Sequence, residues 1–221
     1  QIFRAGIWKP RTRPNTFEGV GFEGLQWLKR VKEETGMLTA TEVACKQHVN
    51  DALKMGVDIL WIGARTTVNP FAVQENADEL KGTNVPVLIK NPINPDLELW
   101  MGAIERIAGA GVTKLAAIHR GFSPFEKMKY RNSPQWEVAI ELHRRMPELP
   151  IFFDPSHMAG CREYIKELSQ KALDLGVNGL IIESHCNPDA ALSDAKQQLT
   201  PSDLNTLLNE LIIRKVGSAS E

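Results

Sequence analysis

Charged side chains follow each of seven apolar, strand-like stretches in this 221-residue sequence. Each stretch runs into a loop that carries Lys, Arg, His, Glu or Asp, and an amphipathic helix follows the loop. In chain order, the stretches end at Lys9–Thr12, Glu42, Gly63–Arg65, Lys90, His119–Arg120, Asp154–His157 and Glu183–His185. Because the carboxyl ends of parallel strands meet on one face of a (β/α) barrel, we expect these side chains to converge there.

The positively charged members of this set indicate a site for anions. They are Lys9, Arg11, Arg65, Lys90 and Arg120. Like charges repel when they are gathered, so such a cluster persists only beside an anion or neighbouring carboxylates. Arginine presents a planar fork that fits phosphate or carboxylate, and lysine adds a point charge. The cluster predicts a ligand with two anionic groups, such as a phosphate and a carboxylate; the alternative is a set of solvated charges at the rim.

A metal site is predicted after the sixth and seventh stretches. His157, Glu183 and Asp194 offer one imidazole and two carboxylates, which suit a divalent Mn, Fe, Co or Zn ion. Such an ion can polarise an aldehyde or ketone oxygen as a Lewis acid. Taken alone, His157 is more typical of a structural, hydrogen-bonded histidine, and His185 and His119 are alternative ligands.

Lys90 has a second interpretation, because a lysine at the end of a barrel strand can form a Schiff base with a carbonyl substrate. That chemistry would make the protein a metal-free aldolase. The candidate metal ligands favour the other mechanism, and the sequence is compatible with both.

Short, continuous apolar runs separated by amphipathic helices are typical of parallel strands covered on both faces. The strand candidates are Gln1–Trp8, Leu38–Val43, Ile59–Ile62, Val85–Ile89, Lys114–Ile118, Pro150–Phe153 and Gly179–Ile182. The helix candidates are Gly21–Thr35, Lys46–Lys54, Ala72–Leu80, Leu97–Ala108, Gln135–Arg145, Glu163–Leu175 and Ser202–Arg214. The glycines placed for left-handed C-caps are Gly36, Gly56, Gly82, Gly111 and Gly176.

This pattern predicts an α/β fold, a (β/α)8 TIM barrel of which seven strands are found. We expect the first strand and helix to be absent from this chain, which would then start inside a longer polypeptide. Residues 1–214 form the predicted barrel domain, and residues 215–221 are predicted to be a tail or linker. The basic and aromatic loop at Phe122–Pro134 is a candidate lid or substrate loop.

Composition excludes several classes of partner. The formal net charge is -1, so no basic field indicates nucleic acid or an acidic membrane surface. No apolar run approaches the roughly 18 residues that a membrane-spanning helix needs. Three widely spaced cysteines, Cys45, Cys161 and Cys186, argue against a disulfide framework and for a reducing cytoplasm.

Dispersed motifs span almost the whole chain. They are Lys9-Pro10-Arg11-Thr12, Gly63-Ala64-Arg65, Leu88-Ile89-Lys90, His119-Arg120-Gly121, Asp154-Pro155-Ser156-His157, Glu183, and Leu192-Ser193-Asp194-Ala195 with Gln197-Gln198-Leu199. In this order they resemble 3-deoxy-D-arabino-heptulosonate 7-phosphate (DAHP) synthase, the first enzyme of the shikimate pathway. The resemblance is closest to the compact type I-beta branch, some members of which are fused to chorismate mutase.

The resemblance implies a metal-dependent condensation of phosphoenolpyruvate with erythrose 4-phosphate that releases phosphate. It implies that Arg65, Lys90 and Arg120 bind phosphoenolpyruvate, with Lys9 near its carboxylate. Lys9, Arg11 and Thr12 would receive erythrose 4-phosphate, with Arg11 at its phosphate. The implied metal ligands are His157, Glu183 and Asp194, and Lys9 and His157 are the implied catalytic residues. Expected partners are the two substrates, further copies of the chain in a homo-oligomer, and a fused or associated chorismate mutase domain.

Two positions depart from the family pattern. The family's fourth metal ligand is a cysteine in a Gly-Pro-Cys-Ser segment, which this sequence does not contain. Many type I-beta relatives have Glu where this chain has His119, which we expect to add positive charge below about pH 6.5. The related 3-deoxy-D-manno-octulosonate 8-phosphate synthase is a second candidate, but its substrate loop usually has Lys-Ala-Asn-Arg-Ser. A catalytically incomplete barrel that binds phosphorylated ligands is a third.

Overall fold

The computed structural model describes residues 1–11 and 13–214. The candidate ligand Thr12 and the predicted tail at 215–221 therefore lie outside the described residues. The chain divides into two compact units, Gln1–Ala117 and Ile118–Glu221, and the boundary falls within the fifth strand.

The described residues form seven strands, each close to a predicted one. They are β1 (Ile2–Arg4), β2 (Leu38–Val43), β3 (Ile59–Ile62), β4 (Val87–Lys90), β5 (Leu115–His119), β6 (Ile151–Phe153) and β7 (Gly179–Leu180). In the first unit, parallel pairing joins β1 to β2, β2 to β3 and β3 to β4, and Val87 N–H donates to Lys114 O at the start of β5. In the second unit, Asp154 N–H donates to His119 O, and β6 pairs in parallel with β7.

Helices follow the strands in the alternation typical of (β/α) units. They are α1 (Glu23–Thr35), α2 (Lys46–Lys54), α3 (Ala64–Thr67), α4 (Pro70–Leu80), α5 (Leu97–Gly109), α6 (Trp136–Arg145), α7 (Pro155–Ala159), α8 (Ile165–Asp174) and α9 (Pro201–Glu210). Short 3-10 turns occupy Arg162–Tyr164, Pro188–Ala190 and Ala195–Gln197. All five glycines predicted as left-handed C-caps have positive φ. Among the described residues, no helix combines the length and apolar character needed to cross a membrane.

Two short helices were not predicted, and both stand directly after a strand. α3 begins after Gly63, and α7 begins at Pro155 after the N-cap Asp154. A single turn is too short to show the 3.6-residue apolar period on which the helix predictions depend. The last helix also ends earlier than predicted, at Glu210 rather than Arg214.

Each unit has its own apolar interior. In the first unit, Trp61 and Trp100 are almost fully buried, and the Trp100 indole N–H donates to Ile89 O at 3.1 Å. This bond ties α5 to the end of β4, just before Lys90. In the second unit, Phe153 of β6 and Met158 of α7 pack in a cluster with Leu168 of α8. The strand ends that carry the candidate site residues are thus backed by packed side chains, which restricts their movement.

Candidate metal and substrate site

The first candidate metal ligand, His157, is fixed by the residue that caps its own helix. Asp154 is fully buried, and its Oδ1 accepts the His157 main-chain N–H at 3.1 Å. Its Oδ2 lies 2.9 Å from His157 Nδ1. Because an ionised carboxylate can only accept hydrogen bonds, this contact requires the ring proton on Nδ1 and leaves Nε2 as the nitrogen that can coordinate a metal. This arrangement is typical of metal-binding histidines.

The second candidate ligand, Glu183, follows β7 and is held by two neighbours. Its main-chain N–H donates to Ser156 Oγ at 2.9 Å, which links it to the α7 turn. Its Oε2 accepts a hydrogen bond from Gln197 Nε2 at 2.6 Å. The other oxygen, Oε1, lies 3.8 Å from His157 Nε2.

The third candidate ligand, Asp194, precedes the 3-10 turn Ala195–Gln197. Its backbone is left-handed, with φ 54, and its carboxylate Oδ1 accepts a 2.8 Å hydrogen bond from Arg131 Nη1. One donor atom from each of His157, Glu183 and Asp194 lies within 4.8 Å of the others. The predicted donor set is therefore assembled, and one imidazole with two carboxylates fits a divalent first-row ion.

Asn132 connects this cluster to the candidate substrate ligand Arg120. Arg120 follows β5 and is 9% exposed, and its Nη1 donates to Asn132 Oδ1 at 3.0 Å. Asn132 Nδ2 in turn donates to the main-chain oxygen of His157 at 2.6 Å. A buried amide thus spans from a guanidinium to the backbone of a metal-ligand candidate.

Asn132 and Arg131 come from the base of the loop predicted as a lid or substrate loop. Phe122 and Ser133 close this loop with two main-chain hydrogen bonds, of 2.9 and 2.7 Å. Lys129 and Tyr130 both bond Glu167 Oε1 of α8, each at 2.6 Å. The base of the loop is therefore anchored, whereas Phe125 near its tip is fully exposed.

In the first unit, the strand-end cations lie on short, closed segments. The Lys9 main-chain N–H donates to Glu18 O at 2.8 Å, and Arg11 Nε donates to Phe17 O at 2.9 Å. These bonds close the loop after β1 that carries Lys9 and Arg11. Arg65 lies on α3 and is exposed.

Lys90 ends β4 and is only 5% exposed. Thr67 Oγ1, two residues after Arg65, donates to Lys90 O at 2.9 Å and to Gly63 O at 3.1 Å. The α3 turn is therefore bonded to the end of the neighbouring strand. The two candidate phosphoenolpyruvate ligands of the first unit, Arg65 and Lys90, are carried by segments that are directly linked.

Glu42 at the end of β2 lies over Gly63, in space that a Cβ at residue 63 would occupy. Its Oε2 accepts the Trp61 indole N–H at 3.2 Å, and the Arg4 guanidinium stands 4.6 Å from the centroid of the Trp61 ring. A carboxylate is thus held at a strand end of the same unit that carries Lys9, Arg11, Arg65 and Lys90.

Comparison with known proteins decides the family. The model of the DAHP synthetase I family matches residues 1–216. The chain belongs to this family. It is 35% identical over 211 residues to the phospho-2-dehydro-3-deoxyheptonate aldolase of Thermotoga maritima, a match that covers 96% of this chain and 60% of that relative. The chain thus spans less than two thirds of the length of this curated relative.

Members of the DAHP synthetase family also match at the level of structure. A crystal structure of the Thermotoga maritima DAHP synthase superposes with a TM-score of 0.84 at 33% identity and covers 95% of this chain and 59% of that one. A truncated form of the same synthase gives a TM-score of 0.80 at 31% identity. A 2-dehydro-3-deoxyphosphooctonate aldolase of Geobacter metallireducens is more distant, at 27% identity over 95% of this chain. Together with the parallel register, these matches confirm the predicted fold class, a (β/α) barrel to which the described residues contribute seven strands.

One expectation about a position that departs from the family pattern is wrong. His119 is 1% exposed and packs against the rings of Phe122, Trp136 and Phe153. Burial lowers the pKa of His119 to about 4, with the neighbouring Arg120 acting in the same direction and a hydrogen bond to Pro134 opposing it. The ring therefore adds no positive charge between pH 6.5 and about 4, because solvation of the imidazolium is lost in this aromatic enclosure.

Other candidate ligands fall outside the assembled group. His119 and His185 are not among its members, and His185 Nδ1 accepts the Asn187 main-chain N–H at 3.0 Å. Cys45, Cys161 and Cys186 are free thiols and are likewise not among them.

Residues that contact the candidate metal ligands were missed by the sequence interpretation. Asp154 and Gln197 stood inside quoted motifs without a role, and Arg131 and Asn132 stood in the candidate substrate loop. Arg131 meets Asp194 across 63 residues of chain, so no local spacing indicates the pair. The only sequence signal for these supporting residues was the position of Gln197, three residues after Asp194.

Proposed function

We propose that this chain condenses phosphoenolpyruvate with erythrose 4-phosphate to give DAHP and inorganic phosphate, the first step of the shikimate pathway. The observation that carries the proposal is the assembled group of His157, Glu183 and Asp194 in a member of the DAHP synthetase family. The Thermotoga maritima relative, a phospho-2-dehydro-3-deoxyheptonate aldolase, supports it.

His157, Glu183 and Asp194 would hold a divalent Mn, Fe, Co or Zn ion. The imidazole Nε2 is available for coordination because Asp154 engages Nδ1. When bound, such an ion supplies Lewis-acid polarisation of a carbonyl group. Two carboxylates beside one neutral imidazole would also balance the charge of a divalent ion.

The cations match the charges of the two substrates. Arg65, Lys90 and Arg120 would bind phosphoenolpyruvate, which carries a phosphate and a carboxylate, with Lys9 near the carboxylate. Arg11 would bind the phosphate of erythrose 4-phosphate, together with Lys9 and Thr12. The low exposure of Lys90 and Arg120 strengthens their attraction for anions, because water screens a buried charge less.

The proposed reaction forms one carbon–carbon bond and one carbon–oxygen bond to water, and it breaks the carbon–oxygen bond to phosphate. The methylene carbon of phosphoenolpyruvate attacks the aldehyde carbon of erythrose 4-phosphate, whose oxygen takes up a proton. Water adds at the resulting cationic carbon and loses a proton, and phosphate then leaves with the bridging oxygen. Lys9, near the carboxylate, and His157, in the ligand group, are the candidate catalytic residues.

Phosphate release from the two substrates tests this proposal. The chain is first treated with a chelator, and release is then measured with and without added Mn²⁺. Release that needs both sugar phosphate and enol phosphate, and that returns with Mn²⁺, is the expected result. Absence of release with Mn²⁺, Fe²⁺, Co²⁺ or Zn²⁺ would contradict the proposal.

Two controls separate the alternatives. Arabinose 5-phosphate in place of erythrose 4-phosphate tests the octulosonate reaction, for which the Geobacter metallireducens relative is named. Borohydride reduction in the presence of a carbonyl substrate tests a Schiff base on Lys90, and a stable adduct there would favour the metal-free aldolase. Binding of phosphoenolpyruvate without turnover in any of these mixtures would favour the incomplete, ligand-binding barrel.

Assembly, location and fused domains stay predictions. A homo-oligomer would appear as a multiple of the 24.7 kDa chain in light scattering after size exclusion. A chorismate mutase domain, either fused or associated, would appear as chorismate conversion by the protein isolated from its source. A cytoplasmic location is also predicted and can be tested by cell fractionation.

A further inference from the structure

The side-chain amide of Gln197 has both of its ends engaged by charged groups. Gln197 is 1% exposed. Its Nε2 donates to Glu183 Oε2 at 2.6 Å, and its Oε1 accepts from Arg131 Nη1 at 3.0 Å. Only this orientation is possible, because a carboxylate accepts and a guanidinium donates. The Gln197 amide therefore bridges the candidate metal ligand Glu183 and Arg131.

The same arginine reaches a second candidate ligand. Arg131 Nη1 also donates to Asp194 Oδ1 at 2.8 Å. Arg131 is held by its own backbone, whose N–H donates to Ala159 O at 3.2 Å, and its aliphatic part lies over Gly160. Asp194, Arg131, Gln197 and Glu183 thus form a continuous hydrogen-bonded arc, which we call the carboxylate arc.

We infer that Arg131 and Gln197 are positioning residues that each hold one oxygen of a candidate metal carboxylate and so orient Asp194 and Glu183 towards the ion. This inference rests on the proposed metal-dependent function. Gln197 engages Glu183 Oε2, while Glu183 Oε1 faces His157 Nε2 at 3.8 Å. Arg131 engages Asp194 Oδ1 in the same way. Hydrogen bonds of this kind fix ligand orientation and typically change metal affinity when they are removed.

The two positioning residues of the arc, Arg131 and Gln197, act on a cation in different ways. Arg131 orients Asp194, but its positive charge also repels a divalent ion, so its replacement changes two opposing effects at once. Gln197 is uncharged and nearly inaccessible to solvent. Replacing Gln197 therefore separates orientation of the carboxylates from the electrostatic field of the site.

The test is a titration of the full chain with Mn²⁺. Binding is measured by calorimetry and by the electron paramagnetic resonance spectrum of the bound ion. Gln197→Leu removes both hydrogen bonds and leaves the charge unchanged, and its Kd for Mn²⁺ is expected to rise about 10- to 100-fold. The spectrum of bound Mn²⁺ is expected to broaden, because the ligand geometry becomes less uniform. Gln198→Leu is the matched control, since the Gln198 amide donates to Ser193 O rather than to a candidate ligand.

Gln197→Glu provides a second variant with an opposite electrostatic effect. It keeps an acceptor for Arg131 but cannot donate to Glu183, and it adds a negative charge near the ion. If Gln197 acts by orienting Glu183, this variant should bind Mn²⁺ more weakly. If only the electrostatic field of the site matters, the added negative charge should make Mn²⁺ binding tighter. Tighter Mn²⁺ binding in Gln197→Glu, or unchanged Mn²⁺ affinity in a folded Gln197→Leu protein, would overturn the positioning role. Neither result would contradict the proposed function.

Different results would contradict the proposed condensation reaction. If the parent chain binds Mn²⁺ but releases no phosphate, the condensation is contradicted while the role of the arc stands on the titration. If the parent chain does not bind Mn²⁺, the metal assignment and the positioning role are both overturned.

Discussion

The carboxylate of Asp154 engages both the main-chain N–H and the ring Nδ1 of His157, with its Oδ1 and Oδ2 at 3.1 and 2.9 Å. One buried residue therefore caps α7 and sets the direction of the His157 ring. The two tasks can be separated by substitution, because an asparagine oxygen still accepts the main-chain N–H.

Asp154→Asn is expected to raise the Kd for Mn²⁺ about 10- to 100-fold while the fold is kept. The neutral amide still caps the helix but no longer provides the negative charge that holds the ring proton on Nδ1. Calorimetric titration measures the effect. Asp96→Asn is the matched control, because Asp96 caps α5 by accepting the Leu99 N–H at 2.9 Å. Equal Mn²⁺ affinity in the two variants would contradict the role given to Asp154.

Asn132→Leu is expected to raise the KM for phosphoenolpyruvate about tenfold or more, since a hydrogen bond to a charged group is worth about 1.5–3 kcal/mol. The variant removes the amide oxygen that Arg120 contacts and the donor to His157 O. Steady-state phosphate release at varied phosphoenolpyruvate measures KM, and thermal unfolding shows whether the fold survives. Asn205→Leu on the exposed face of α9 is the control, and an unchanged KM in folded Asn132→Leu would count against the contact.

Gly160→Ala is expected to weaken Mn²⁺ binding as well as lower stability. Gly160 has φ 73, and a Cβ there would collide with the Cβ of Arg131 and approach its Cδ at 3.0 Å. Gly36→Ala is the matched control, because Gly36 has φ 70 but nothing within 4 Å of the added atom. The left-handed strain of roughly 1–2 kcal/mol should lower the free energy of unfolding in both variants. Only Gly160→Ala should move Arg131, so equal Mn²⁺ affinity in the two would contradict the arc's role.

The stability of the protein is expected to fall with pH between 6.5 and about 4 because of His119. Its pKa is about 4 in the folded chain and 6.5 as a free side chain, so the unfolded state binds more protons in this interval. The contribution is fully present above pH 6.5 and is lost as the pH falls towards 4. The difference between the two pKa values corresponds to a loss of roughly 3 kcal/mol in the free energy of unfolding, at 1.36 kcal/mol per pH unit.

Chemical denaturation at several pH values measures this dependence. His119→Phe should flatten the slope between pH 6.5 and 4, since phenylalanine keeps the aromatic packing and does not titrate. His143→Gln on the exposed face of α6 is the control and should leave the slope unchanged. A slope that survives in His119→Phe would show that other groups cause the acid sensitivity.

The strand ends could be predicted from the sequence, and candidate metal ligands could be proposed, because both depend on short-range patterns. Apolar runs placed β2 and β3 at their observed bounds, and Glu183 directly follows such a run. The environment of His119 could not be predicted, since its neutrality arises from rings that belong to three different segments, at Phe122, Trp136 and Phe153.

The supporting network of the site was hidden for a related reason. Gln197 joins Glu183 across 14 residues and Arg131 across 66, and only the folded chain brings them together. Residue types that make these contacts are also common on solvent-exposed loops. Periodicity and spacing therefore predict which residues could bind a metal, but not which residues hold them in place.

Main-chain bonds between Phe122 and Ser133 close the loop between them, and the bonds of Lys129 and Tyr130 to Glu167 separate its tip from Arg131 and Asn132. A change in the number of residues between 123 and 128 would be absorbed before the chain reaches Lys129 and Tyr130, which are anchored on Glu167. Insertions and deletions can therefore accumulate at the tip over evolutionary time while Arg131 and Asn132 keep their positions. The tip offers room for variation that the site itself does not.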